Sequence, residues 1–446
     1  MTRVNLITDY CKNYKIIQDK IHGMMNMSKL AITIIDTPIF QRLRNLKQLG
    51  VCYLVFPNAV HTRFEHSLGT YYLAKKLLNN LIINSSNYEI IEPLKNIEEL
   101  KKYFIEKGVV ELDDYIKELI SISALCHDLG HGPFSHIFDD KFIPTIINDF
   151  NIGENKHHEY RSCVLLKKII KDSFLKDIIT DDEITFMTNL IHPDRSKHQG
   201  YIYQIVSNTL NGLDVDKYDY LTRDSTLLGI NIAFSPDKLI NNAIVINNII
   251  AFPKQIDSDI INLFSTRHYL HRKIYSHKVV ISIDLIICKL LTLINDVFKI
   301  GKCLENIDEK FINLTDNDIL IRSKYLINYE VNELIKKITI HDFYPILYST
   351  TLNSDDNVED FIKNLITDKN LDKNKILISY HNIGYTNSRN PLDNIYVYTN
   401  KNCKLVKLIK FNITKLLPEI YQEKLLMIFY NGSKTDPEFN TIKEVF

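Results

Sequence analysis

His127 and Asp128 are adjacent at the end of an apolar helical pattern. On a helix such neighbours project about 100° apart, so an imidazole and a carboxylate can approach one ion from adjacent directions. Two more donors must come from elsewhere, and His66 in RFEHSLG and Asp216 in NGLDVDKYDY are the natural candidates. Two imidazoles and two carboxylates form a mixed N/O set suited to Fe, Zn, Mn or Mg, with water in the open positions. Such an ion lowers the pKa of bound water from about 15.7 to roughly 7, on the order of 12 kcal/mol at 1.36 kcal/mol per unit. That is enough to make a nucleophile at neutral pH.

A His-Asp dipeptide alone arises by chance and can simply end its own helix. His131, His136 and His158 follow closely, however, and a helix terminus ending in Gly-His-Gly-Pro has little structural need for so many imidazoles. Lys217, Tyr220 and Asp224 recur at i, i+3 and i+7 after Asp216 and share one helix face. That face offers a phosphate cation, a phenol and a carboxylate able to accept from a sugar hydroxyl. Arg267, His271 and Tyr275 repeat the pattern at i, i+4 and i+8, on a helix whose other positions, Phe264, Leu270 and Ile274, are apolar. A solvated face would favour Lys and Glu over Arg, His and Tyr.

The elements that must position these groups are mostly helices. Asp36-Thr37-Pro38 predicts a helix running to a stop at Gly50, with Arg44 and Gln48 on one face, followed by an extended run from Val51 to Phe56. Further helices are expected over 62–82, 111–129, 158–172, 183–192 and 215–224, and in one long element from about 257 to 299. Strand-like runs stand out only late, at Ile376–Tyr380 and in NIYVYT, while 368–375 and 431–440 read as a loop and a loose tail. The expected architecture is mostly α: a helical core over 1–325 and a smaller α+β C-terminal lobe over 326–446.

Bulk composition narrows the function classes. Lys+Arg and Asp+Glu both total 54 in 446 residues, so no global positive charge exists to track a nucleic-acid backbone, and weak or no nucleic-acid binding is expected. The cysteines (Cys11, Cys52, Cys126, Cys163, Cys288, Cys303, Cys403) form no CxxC pair, which argues for a reducing, intracellular compartment, cytoplasmic with the nucleus left open. The N-terminus lacks a signal-peptide core, and the most apolar stretch, 279–294, is interrupted by Asp284 and Lys289, so no membrane association is expected.

RFEHSLG, LCHDLGHGPFSHIFD, HHEYRS, NGLDVDKYDYLTRDSTLLGI and STRHYLHRKIYSHKV occur in this order, with NPLDNIYVY and KLLPEIYQEKLL further on. Together they resemble the HD-superfamily deoxynucleoside triphosphate (dNTP) triphosphohydrolases, nearest to the animal members that also carry a SAM domain, over about Lys15 to Tyr430. The resemblance implies an HD-domain helical core and metal-dependent hydrolysis of dNTPs to deoxynucleoside and inorganic triphosphate. It implies a metal set of His66, His127, Asp128 and Asp216, holding Fe, Zn or Mn, with Mg as a further ion.

In this family cleavage falls between the 5′-oxygen and the α-phosphorus, so an alkoxide must leave and a general acid is needed. The resemblance points to His136, with His131, Asp139 and His158 positioning it and the α-phosphate. It implies that Arg63, Lys217 and Arg267 hold phosphates, that Gln48 and Asp224 bind the 3′-hydroxyl, and that Leu49 and His271 border the base. Tyr275 would crowd the place of a 2′-hydroxyl, and Tyr220 lines the same face.

Animal members assemble into tetramers with a guanine nucleotide and a second nucleotide between subunits. The guanine-site residues have counterparts in Lys15, Asp36, Gln41 and Arg44, so GTP is the expected effector of a homo-oligomer, dimer or tetramer. The second site keeps Val55, Phe56, His277 and Lys278, but Ile244, Pro253 and Gln255 stand at basic positions of the family and Lys273 stands for an arginine. Apolar replacement removes bidentate phosphate pairing outright. The competing readings are another HD phosphohydrolase, acting on a nucleoside monophosphate or cyclic dinucleotide, and a nucleotide-sensing or single-strand-binding scaffold that keeps its metal for structure.

Overall fold

The computed structural model describes residues 3–108, 110–307, 309–353, 356–369, 372–385, 390–399, 404–408 and 420–446. Cys403 and the first residues of KLLPEIYQEKLL lie outside them.

Helices dominate, as expected. An N-terminal hairpin of β1 (Asn13–Asp19) and β2 (Gly23–Ser28) precedes them. Next come α1 (Arg63–Asn84), α2 (Asp114–Cys126), α3 (His158–Lys171), α4 (Asp181–Ile191) and α5 (Val215–Leu227). α1 packs against α2 and α5, which brings the helices carrying the four proposed ligands together. Local chemistry fixes each start. Glu65 accepts the Thr62 N–H at 3.0 Å to cap α1, and Asp113 accepts from Ile116 N at 3.0 Å to start α2. Asp214 does the same for α5 through Lys217 N at 3.0 Å.

β3 (Ile244–Ile246) and β4 (Ile249–Pro253) form a second hairpin, followed by α6 (Asp257–Leu270) and α7 (Lys278–Phe298). Later in the chain, β5 (Ile346–Asn353), β6 (Ile376–Gly384) and β9 (Gln422–Tyr430) make an antiparallel sheet in the order β5-β9-β6. β7 (Tyr396–Thr399) pairs parallel to β4 and antiparallel to β8 (Lys404–Lys407), so this sheet draws strands from both sides of residue 325. One apolar core runs from Ile7 to Phe429. No helix among the described residues is long and apolar enough to cross a membrane.

Several expectations need correction. The helix that Thr37 caps spans only Pro38–Gln41, continues as a tight turn over Arg42–Asn45 and ends there. Lys47 instead bridges Thr62, so Gln48 does not share a helical face with Arg44. The run 51–56 is not extended but contains the tight turn Cys52–Leu54. The element over 257–299 is broken by a wide π turn at His271–Tyr275, and strands occur early as well as late. Within the supposed tail, Pro437–Glu444 is a helix that packs Phe439 on Tyr430, with ring centroids 5.7 Å apart.

Candidate active site

α2 ends where His127 begins a loop that is pinned to α3. Gly130 lies so close to α3 that a Cβ there would meet His158 O at 2.1 Å. The Ser162 hydroxyl accepts from Gly130 N at 2.8 Å and lies 2.6 Å from the His127 carbonyl. The loop is therefore fixed at the point where its two candidate ligands emerge.

The structure brings three of the proposed ligands, His66, His127 and Asp216, to one point, while Asp128 borders that group and clusters with His131 and His158. His66 Nε2 lies 3.3 Å from His127 Nε2, 3.1 Å from Asp216 Oδ1 and 3.6 Å from Asp128 Oδ2. His127 Nε2 is 3.3 Å from Asp128 Oδ1 and 3.4 Å from Asp216 Oδ1. Bond lengths of about 2.0–2.2 Å to one ion would set neighbouring donors roughly 3.0–3.5 Å apart, so this cluster has the dimensions of a coordination shell. The imidazole tautomers agree. His66 Nδ1 faces Asp219 Oδ2 at 2.8 Å and His127 Nδ1 faces the Ala124 carbonyl at 2.8 Å. Both Nδ1 atoms are thus donors, so Nε2 is the atom each ring turns to the common centre. Burial would lower the pKa of both rings, but the carboxylates there raise them, His66 to about 10, and an ion would take the place of those protons. The residues fit a divalent cation, and HD domains are metal-dependent.

Arg63, the first residue of α1, pairs with Asp128 and donates from Nε to Ser135 Oγ at 2.9 Å. Burial alone would raise the Asp128 pKa, but Arg63, His127 and His131 hold it well below the usual carboxylate range. Beyond Asp128 the second histidine group assembles. His131 and His158 stack with centroids 3.8 Å apart, and their Nδ1 atoms lie 3.2 and 3.4 Å from Asp139 Oδ2. Asp139 is also paired with the fully buried Arg161, which holds its pKa well down against the burial that would raise it. Burial, reinforced by Arg63 and His158, pushes His131 down to about 4, so its ring is neutral at pH 7.

His136 differs from its neighbours: 68% of its side chain is exposed, and its ring lies 5.4 Å from that of His131. Loss of solvation lowers its pKa, but the Asp140 carboxylate 3.6 Å away outweighs this, so the net shift is upward. The loop before it is strained. Phe134 and Ser135 both adopt positive φ, 61° and 58°, which non-glycine residues hold only when their surroundings enforce it. Asp316 supplies the enforcement, accepting from Phe134 N at 2.7 Å and from Lys47 N at 2.8 Å. Burial raises its carboxyl to about 6 despite those donors.

The sugar-side candidates also converge. Asp224 accepts from Tyr275 OH at 2.5 Å and meets His61 Nε2 at 2.7 Å, while the His61 carbonyl accepts from Gln48 N at 3.0 Å. Gln48 Oε1 is buried and has no partner among the described residues, leaving an acceptor for a ligand hydroxyl. His271 packs edge-on to Tyr275 with centroids 4.9 Å apart, and Leu49 is half-buried. Lys217 Nζ sits 3.2 Å from Asp214, Arg267 donates to the Gly384 carbonyl, and Tyr220 is partly buried in the core.

The proposed effector residues lie mainly at the surface. Lys15 is exposed on β1. Gln41 Oε1 accepts from Arg44 Nε at 2.8 Å, and the Arg44 guanidinium stacks 3.5 Å from the centroid of Phe64. The sequence places Asp36, Gln41 and Arg44 on one capped helix; instead Asp36 ends the preceding helix, Lys29–Ile35, and Gln41 and Arg44 fall in the successive turns Pro38–Gln41 and Arg42–Asn45. Of the second group, Phe56 meets His277 edge-on at 5.6 Å, while Val55 is half-buried and Lys278 exposed. Ile244 faces the core, 8% exposed, so it cannot hold a phosphate.

Sequence reasoning missed His61, Asp219, Arg223 and Asp316. One signal existed for Asp219 and Arg223, which follow the proposed ligand Asp216 on the same helix; His61 and Asp316 come from other segments.

A model of the HD domain matches residues 63–224, which contain all four proposed ligands. An HD domain-containing protein of Acanthamoeba polyphaga mimivirus is 44% identical over 67% of this chain, and the match spans 62% of that relative's length. The deoxynucleoside triphosphate triphosphohydrolase SAMHD1 homolog of Dictyostelium discoideum is 34% identical over 97% of this chain and 81% of its own. SAMHD1 of Homo sapiens is 30% identical over 95% and 71%. Matches of this extent, joined to the ligand geometry, mean that the chain belongs to the HD-domain family of deoxynucleoside triphosphate triphosphohydrolases.

Proposed function

We propose that this chain hydrolyses dNTPs at the α-phosphorus, releasing deoxynucleoside and inorganic triphosphate. The observation that carries the reading is the meeting of His66, His127 and Asp216 beside a second group of Asp128, His131 and His158. His66, His127, Asp128 and Asp216 would hold the ion, with Fe, Zn or Mn favoured by the N/O set and Mg as a further ion. When bound, the ion supplies Lewis acidity and a water of lowered pKa.

The chain's own residues do the rest. Water oxygen bonds to the α-phosphorus as the bond to the 5′-oxygen breaks, and His136 gives its proton to that leaving oxygen. Asp140 draws the His136 pKa upward, which favours its protonated form. Asp139 lies against His131 and His158, which flank the place of the α-phosphate, and neutral His131 adds no charge there. Arg63, Lys217 and Arg267 bind the phosphates. Gln48 and Asp224 receive the 3′-hydroxyl, Leu49 and His271 border the base, and Tyr275, held against Asp224, narrows the space for a 2′-hydroxyl.

GTP acts as effector on Lys15, Asp36, Gln41 and Arg44 of a homo-oligomer, dimer or tetramer. The second nucleotide contributes little, because Ile244, Pro253 and Gln255 provide no cations. Product analysis of the purified chain with each dNTP, with and without GTP, tests the reading by anion-exchange separation. Deoxynucleoside and triphosphate are expected. Formation of a deoxynucleoside monophosphate and pyrophosphate, or turnover only of monophosphates or cyclic dinucleotides, would overturn it.

A further inference from the structure

Behind the proposed ligands lies a group of polar side chains to which the reaction gives no task. Asp219 is fully buried, and both of its oxygens are engaged. Oδ2 accepts from His66 Nδ1 and from Arg223 Nε, each at 2.8 Å. Oδ1 accepts from Arg223 Nη2 at 3.0 Å and meets His22 Nε2 at 2.5 Å. The far edge of the same guanidinium grips Asp19, with Nη1 at 2.8 Å from Oδ2 and Nη2 at 3.2 Å from Oδ1. Asp19 in turn accepts the backbone N–H groups of Ile21 and His22, each at 2.9 Å, and so closes the β1–β2 turn.

A continuous hydrogen-bond path thus runs from the tip of the N-terminal hairpin to the face of His66 that points away from the ligand centre. The approach is built into the backbone as well. A Cβ on Gly69, one turn after His66 on α1, would lie 1.9 Å from Asp219 Oδ1 and 2.7 Å from Arg223 Nη2. Only glycine lets Asp219 reach His66.

The hairpin does not need this path in order to dock. Met25 and Met27 of β2 are fully buried and anchor it in the core. Polar groups this deeply buried cost free energy unless every one is satisfied, so a polar path added to an apolar anchor calls for a further role. A carboxylate that accepts from the back of a metal-binding imidazole fixes the ring, its tautomer and its basicity.

We infer that the N-terminal hairpin is a metal-positioning element: Asp19 and His22, acting through Arg223 and Asp219, hold His66 in its ligating orientation and thereby set metal affinity. The inference rests on the reading of His66 as a ligand. It also gives β1 a second significance, because Lys15 lies on the outer part of that strand, opposite Met27. A nucleotide bound there that prefers the docked hairpin would tighten metal binding, and bound metal would tighten the nucleotide by the same factor.

The test uses the full chain stripped of metal and titrated with Zn2+ against a chromophoric chelator at fixed pH. Folding of each metal-free variant is followed by circular dichroism. Asp219→Asn should weaken Zn2+ binding by about 10- to 100-fold, the usual effect of losing a partner behind a metal ligand. Asp19→Asn and His22→Gln, at the surface end of the path, should each weaken it by roughly three- to tenfold while the metal-free chain keeps its fold. Ile16→Thr, on the exposed side of β1, should leave affinity unchanged, and His66→Ala should lose more than any of the others. If Asp19→Asn and His22→Gln bind Zn2+ like the parent, with or without a change in thermal stability, the hairpin is structural only and the inference falls. If His66→Ala also binds like the parent, it is the assignment of His66 as a ligand that fails.

Discussion

The proposed metal centre and the proposed effector surface are built on different principles. At the metal end the ligand side chains are held from behind: His66 by Asp219, His127 by the Ala124 carbonyl and Asp128 by Arg63, with Asp139 close against His131 and His158. His66 and Asp128 side chains are no more than 5% exposed. At the proposed effector surface, Lys15, Asp36 and Arg44 are exposed. The contrast teaches where the fold spends rigidity. Groups around the proposed ion are preorganised before substrate arrives, since dipoles that need not reorient stabilise a transition state most. Groups assigned to the effector nucleotide are left for the ligand to order.

The contrast predicts graded effects. Asp216→Asn removes a charged donor from the rigid end, so metal content and turnover should fall together, turnover by about 10³-fold or more, as metal Lewis acidity is worth several kcal/mol. Metal analysis beside steady-state rates checks this, and wild-type values would remove Asp216 from the ligand set. His136→Ala should cost about 10²-fold in kcat, the low end for general acids because the side chain is largely open to solvent. Its metal content should be unchanged; a defect cured by adding metal would contradict the assignment.

The same histidine gives a pH signature. His136 must be protonated to act, so kcat is lost as pH rises through a pKa that lies above 6.5. Asp140→Asn removes the group that raises it, so the alkaline limb of the kcat profile should move to lower pH. A limb that stays in place would mean that another group titrates there. At the sugar side, His61→Gln leaves the Gln48 backbone bond intact but frees one oxygen of Asp224. We expect KM to rise by about tenfold with little change in kcat, the scale of one hydrogen bond to a charged group. A fall in kcat alone would place His61 in the chemical step.

The smallest effects should come from the open end. Arg44→Ala should raise the GTP concentration for half-activation only about two- to fivefold at low salt, and less at high salt, as exposed ion pairs are worth roughly 0.2–1 kcal/mol. Light scattering should show assembly with GTP alone and little further change on adding a non-hydrolysable dNTP. A strict requirement for both nucleotides would mean that cations outside 244–255 serve the second site.

How much could be read beforehand follows from the same division. His127 and Asp128 announce themselves by adjacency at a helix end, and Asp216 heads a helix whose polar stripe is plain in sequence. Asp19 and His22 are separated from Arg223 and Asp219 by about two hundred residues, so only the fold discloses their pairing. β1 escaped notice because most of its residues are exposed, leaving no period-2 apolar alternation; Met25 and Met27 on β2 were the one trace. The π turns at Ile137–Phe142 and His271–Tyr275 insert a residue without disturbing the apolar pattern, so 257–299 read as unbroken. The helix expected to Gly50 stops early because Lys47 and Gln48 take tertiary bonds, to Asp316 and His61, that outweigh local propensity.

Hydrolysis of a dNTP in water enriched with oxygen-18 tests the central claim most directly. Attack on the α-phosphorus, with a 5′-alkoxide leaving, places the label in inorganic triphosphate and leaves the deoxynucleoside unlabelled. Label in the deoxynucleoside 5′-hydroxyl, or in a deoxynucleoside monophosphate, would contradict it.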